Sequence, residues 1–74
     1  MPLEFTPIAS SNMDGCAYDP EARELHVRFH IGTVHAYADV SPEEHEAFMA
    51  APSKGQHLAR VIKPAKASRK VAQP

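Results

Sequence analysis

The chain has 74 residues, 43% hydrophobic and 23% charged, enough for one small core and not for two. A domain of this size buries only about 60% of its unfolded surface, which argues against the deep, water-excluding pocket of a complex enzyme. Its one cysteine, Cys16, excludes an internal disulfide and a multi-thiolate zinc site, and its net charge of −1 hides two opposed halves: residues 1–46 set nine acids against Arg23 and Arg28, a net of −7, while residues 47–74 carry six Lys and Arg and no acid, a net of +6.

Residues 1–7 read as an N-terminal extension with neither a basic start nor an apolar run, and nothing later approaches the ~18 apolar residues of a membrane span. A soluble, cytoplasmic chain with no membrane partner is expected. The folded unit is expected over 8–63. Its first strand, 13–18, lies between Ser10-Ser11-Asn12 and the turn former Asp19-Pro20. Residues 24–30 alternate, with Leu25, Val27 and Phe29 on one side and Glu24, His26, Arg28 and His30 on the other, the pattern of a half-buried strand.

A third strand, 33–40, follows, and the turn chemistry sets its register. A two-residue type I′ loop would demand φ > 0 at the β-branched Ile31. A three-residue loop, with a type I turn at His30-Ile31 and Gly32 in the left-handed bulge position, demands nothing unusual. It pairs Phe29 with Thr33, Val27 with His35 and Leu25 with Tyr37. His35 and Tyr37 then share the apolar face, and Val34, Ala36 and Ala38 share the other with His26 and Arg28.

Ser41-Pro42-Glu43-Glu44 is a helix start with a Ser N-cap, Pro at the first helical position and Glu44 completing a capping box, predicting a helix over 42–50 that buries Phe48 and Met49. Ser53 caps a second helix with Gln56 at the capping-box position. There Leu58, Val61 and Ile62 form the apolar stripe, and Lys63-Pro64 form the end. Residues 64–74, rich in Ala, Lys, Ser and Pro, are expected to form a basic, disordered tail. The predicted architecture is α+β: a three-stranded antiparallel meander followed by two short helices packed on one face, β-β-β-α-α.

Read in order, Ser10-Ser11-Asn12-Met13, Tyr18, Leu25/Val27/Phe29, Gly32, His35-Ala36-Tyr37, Val40, Ala51-Pro52-Ser53-Lys54-Gly55 and Val61-Ile62-Lys63 resemble the KTSC domain family. That short module occurs at the C-terminus of some lysyl-tRNA synthetases and alone in bacterial and phage proteins. The resemblance covers about 8–63 and, through the synthetase context, implies RNA as a ligand. Two positions depart from the family pattern. His35 replaces the first tyrosine of Tyr-x-Tyr, and His57 and Leu58 stand where aromatic residues are common, so stacking surface is reduced at both.

Five histidines raise the question of a metal, but His26 and His30 lie about 13 Å apart along a strand, and His45 and His57 sit on different helices without an acidic or Cys partner at ligand spacing. No metal and no cofactor is expected. Cys16 lacks the surroundings of a nucleophile, and Gly15, Gly32 and Gly55 are isolated, so no phosphate-cradling loop exists. No catalytic residue, no enzyme activity and no small-molecule substrate are expected.

The candidate nucleic-acid-binding residues are Lys54, Arg60, Lys63, Lys66, Arg69 and Lys70, with Lys54 at a helix start that favours anions. His35 and Tyr37 complete the set as stacking surface, although the hairpin register turns them toward the core, where Tyr37 packs beside Leu25. Two functions are carried forward. One is a noncatalytic module binding RNA through a basic helix and tail. The other is a protein-interaction module acting through the acidic half or an exposed sheet edge.

Overall fold

The computed structural model describes residues 5–8, 10 and 13–71. Ser11 and Asn12 of the family-like start, and the outer ends of the expected extension and tail, lie outside the described residues. Five strands form one antiparallel sheet in the order β1-β2-β3-β4-β5: β1 (Thr6–Pro7), β2 (Met13–Asp19), β3 (Glu24–Phe29), β4 (Val34–Tyr37) and β5 (Ser68–Val71). The α+β class and the helical layer are as expected. The strand count is corrected from three to five, because segments read as an extension and a disordered tail pair with the two sides of the meander: Thr6 with Cys16, and Val71, Lys70, Arg69 and Ser68 with Val34, His35, Ala36 and Tyr37.

The turns follow local chemistry. Asp19 Oδ1 accepts the Glu21 and Ala22 N–H groups at 3.1 and 3.2 Å, reversing the chain between β2 and β3. Between β3 and β4, Gly32 takes φ +95°, its N–H donates to the Phe29 carbonyl at 2.9 Å, and the Phe29 N–H donates to the Thr33 carbonyl at 2.9 Å. This is the three-residue bulge loop that Ile31 requires, and it pairs Leu25 with Tyr37 and Val27 with His35. A bulge between Met13 and Gly15 shifts the β2–β3 register, and a Cβ on Gly15 would approach an Arg28 guanidinium nitrogen to 3.1 Å.

Helix α1 (Pro42–Ala50) begins as its sequence dictates. Ser41 Oγ accepts the Glu44 N–H at 3.1 Å, and the Ser41 N–H donates to Glu44 Oε1 at 3.0 Å. Ser53 Oγ accepts the Gln56 N–H at 3.4 Å and opens α2 (Lys54–His57), which runs through a π-helical segment (Leu58–Ile62) into α3 (Lys63–Ala65), every junction holding right-handed helical angles.

Two expectations change here. Pro64 does not end the helix: the Lys63 N–H reaches back five residues to the Leu58 carbonyl, and this wider turn accommodates a ring that would otherwise press on the carbonyl four residues earlier. The same widening keeps Leu58 and Ile62 at 2% exposure and swings Val61 out to 51%.

The core lies between the helices and one sheet face, where Met13, Cys16, Leu25, Val27 and Tyr37 meet Val40, Phe48, Leu58 and Ile62. On the opposite face Ala17, Val34 and Ala36 are also buried, in register rows with His26, Arg28 and Arg69. Small side chains there let long polar ones lie across them: Arg28 Nε donates to Asp14 at 2.6 Å, and its guanidinium sits 4.9 Å from the Phe5 ring centre. Among the described residues, no helix is long and apolar enough to cross a membrane.

Candidate nucleic-acid interface

The six cations behind the last acid do not share one environment. Lys66, on the turn into β5, is 15% exposed; its Nζ donates to the Asp39 carbonyl at 2.6 Å and stands 2.9 Å from both Glu44 oxygens. The Ser41 N–H and the Lys66 ammonium together hold the Glu44 carboxyl below its ordinary range. Arg69 Nη2 lies 3.0 Å from each carboxylate oxygen of Glu24, which is also 3.3 Å from His26. Lys54 Nζ donates at 3.4 Å to the Ala51 carbonyl across the α1–α2 turn. The opposed halves of the sequence thus partly neutralise one another, because β5 returns to the sheet instead of trailing from it.

Among the described residues, Lys63, Lys70 and Arg60 have no carboxylate partner. Lys63 is exposed, with its Nζ 6.0 Å from the centre of the Phe29 ring. Lys70 is exposed on β5, paired in register with His35 and therefore on the same face. His35 meets Phe29 edge to face, with ring centres 5.4 Å apart at 89°. Phe29 and His35 are both half-buried. Lys63 thus sits near the Phe29 ring and Lys70 shares a face with His35, where the end of β3, the start of β4 and the far end of the helical run converge. Arg60 is exposed one turn away, at a shallow groove of about 320 Å³ shared with Pro52, Gln56, His57 and Val61.

Tyr37 is corrected as a stacking residue. It is 1% exposed within the core and burial raises its hydroxyl pKa, so no ring face is open to a base. Phe29, by contrast, keeps part of its ring uncovered. The alternation assigned Phe29 to the core, but as the last residue of β3 it lies at the rim of the cluster and is only partly covered.

The other chemistry-bearing groups are dispersed. His45 stacks on Tyr18 with centres 4.5 Å apart at 7°, the Tyr18 hydroxyl donates to the Val40 carbonyl, His30 Nε2 lies 3.0 Å from the Ser10 carbonyl, and His57 packs 5.9 Å from Phe48. Among the described residues, no three His, Cys, Asp or Glu side chains gather closely enough to hold a metal. Cys16 is 1% exposed with its Sγ 3.5 Å from Met49 Sδ. Burial pushes its thiol pKa up, only partly offset by the Lys54 charge, the reverse of what a thiolate nucleophile requires.

The family model described as the KTSC domain matches residues 9–65. The chain belongs to the KTSC domain family. An uncharacterized protein of Stutzerimonas stutzeri is 39% identical over 62 residues, 84% of this chain and 87% of its own length. A protein of Tsukamurella paurometabola is 34% identical over 58 residues, 78% and 87% of the two lengths. The crystal structure of a KTSC domain protein from Yersinia pestis superposes with a TM-score of 0.87 at 33% identity, covering 96% of this chain and all of that one. The family match takes in Phe29, His35, Lys54, Arg60 and Lys63 of this KTSC domain and stops short of β5, whereas similarity over 96% of the chain necessarily extends past residue 65. Lys70 lies on β5, outside the family match.

Proposed function

We propose that this KTSC domain is a noncatalytic module that binds single-stranded nucleic acid, RNA in preference to DNA, on the patch formed by Phe29, His35, Lys63 and Lys70, with Arg60 beside it. The observation that carries this reading is the aromatic pair with Lys63 near the Phe29 ring and Lys70 paired in register with His35. An unpaired base stacks on ring surface while the phosphates on each side meet Lys63 and Lys70, the combination that sequence-tolerant single-strand binders use. The preference for RNA rests on the synthetase context of the family.

Three phosphate contacts, at Arg60, Lys63 and Lys70, correspond to a slope of log K on log salt of about −2 for a single strand. Titrating a fluorescently labelled uridine decamer at several salt concentrations tests this. Saturable binding with that slope supports it, and no binding at low salt ends it.

A second reading, a protein-interaction module, draws on one observation: β5 terminates the sheet with Ser68, Arg69 and Lys70 exposed, leaving its outer edge available to another strand. Substituting Lys63→Ser together with Lys70→Ser separates the two readings, since it removes two of the three phosphate contacts and preserves the backbone of the edge. Removing everything after Lys63 would not, because it deletes a strand of the sheet.

A further inference from the structure

Lys66 and Arg69 lie on the same C-terminal segment as Lys70, yet their positive groups are already occupied. Glu24 presents two oxygens at 3.0 Å to one guanidinium nitrogen, and Glu44 presents two at 2.9 Å to one ammonium. A carboxylate in this arrangement does for the cation what a phosphate would. Both acids come from the folded body of the chain and both cations from its last strand and the turn before it. The contacts therefore span 45 and 22 residues and link otherwise separate segments. The Arg69 side chain is 58% exposed, so this pair is solvated and contributes little to stability. Being the outermost strand, β5 presents Lys70 on one face of its edge and Arg69 on the other.

We infer that Glu24 and Glu44 are internal competitors for the polyanion, keeping Arg69 and Lys66 from it until phosphates displace them. This rests on the nucleic-acid reading above and adds its regulation: the domain has a three-cation ground state and a five-cation engaged state, with two carboxylates setting the threshold between them. A uridine decamer engages Lys63, Lys70 and Arg60 and leaves both pairs closed, and Arg69 and Lys66 join only a polyanion that outcompetes Glu24 and Glu44. The device keeps affinity for short or incidental polyanions low.

The test compares uridine decamer binding across a salt series for the full chain, for Glu24→Gln with Glu44→Gln, and for Glu21→Gln with Glu46→Gln. The last pair makes the same change in net charge at two acids that contact neither tail cation. Gln at position 44 retains the capping-box acceptor, and Gln at 24 is isosteric, so both variants fold. In the first pair the slope steepens from about −2 to about −3.5, so that raising salt from 50 to 200 mM weakens binding about 100-fold instead of about 20-fold; in the control pair the slope stays near −2. Adding Arg69→Gln to Glu24→Gln removes the part of the steepening that Glu24→Gln produces. Equal slopes in the two Gln pairs would overturn the inference while leaving the nucleic-acid reading intact. Absence of decamer binding in every variant would overturn that reading and the competitor with it.

Discussion

Replacing Lys66 with methionine removes the ammonium and leaves most of the aliphatic stem. The lost contacts are a charge-assisted hydrogen bond to the Asp39 carbonyl at 2.6 Å and a pair with the Glu44 carboxylate at 2.9 Å. The first is donated by a side chain only 15% exposed and secures a residue held at φ +57°, so it falls in the range of about 1.5–3 kcal/mol for bonds involving an ionised group. The second involves a carboxylate whose side chain is 43% exposed, and solvent screening limits it to about 0–1 kcal/mol.

A total near 2 kcal/mol is a large fraction of the few kcal/mol available to a domain this small. At 4–8 °C per kcal/mol, the melting temperature should drop by about 10 °C. Differential scanning fluorimetry and urea unfolding of Lys66→Met, Glu44→Gln and the double variant measure the loss and its coupling. A coupling energy of about 0.5–1 kcal/mol is expected between the two sites. A melting temperature within about 2 °C of the parent chain for Lys66→Met would refute the role of this contact in anchoring β5.

Gly32→Ala should cost about 1–2 kcal/mol in urea unfolding, because a φ of +95° strains any side chain even though a Cβ there has no neighbour within 4 Å; an unchanged midpoint would contradict the bulge-loop geometry. Burial lowers the His45 pKa in the folded state. The neutral form is thus favoured by folding, and that stability is fully present above pH 6.5 and declines as pH falls through the folded value. Glu44, also lowered, contributes stability that is present above pH 4.5 and lost as pH falls further. Melting temperature should therefore decline in two stages on acidification, and His45→Phe should abolish the upper stage while keeping the stack on Tyr18. Persistence of the upper stage in that variant would refute its assignment.

Local chemistry was readable wherever a few neighbouring residues decide the outcome. Ser41-Pro42-Glu43-Glu44 specifies a helix start without outside help, and the steric demand of Ile31 alone selects the loop and thereby the register of β3 against β4. The missed elements depend on partners far away in sequence. Ser68-Arg69-Lys70-Val71 has no alternation to mark a strand, and becomes one because β4 offers an open edge and Lys66 anchors the approach to it. At two residues, β1 is too short to carry a pattern.

The expected stripe of Leu58, Val61 and Ile62 assumed a regular α-helical turn, and the wider turn next to Pro64 moved Val61 out of it. The same division runs through the site. That the C-terminal segment is basic is plain from composition, but which cations are free depends on ion pairs reaching 22 and 45 residues back. Alternation places Phe29 on the apolar face but does not reveal that the last position on a strand lies at the edge of the core.

The functional account is tested most directly by an amide NMR titration of the domain with an unlabelled uridine decamer at low salt. The expected result is a set of shifts centred on Phe29, His35, Lys63 and Lys70 that reverses as salt is raised. Unmoved resonances at saturating decamer, or shifts confined to the acidic surface of α1 around Glu43 and Glu46, would contradict it.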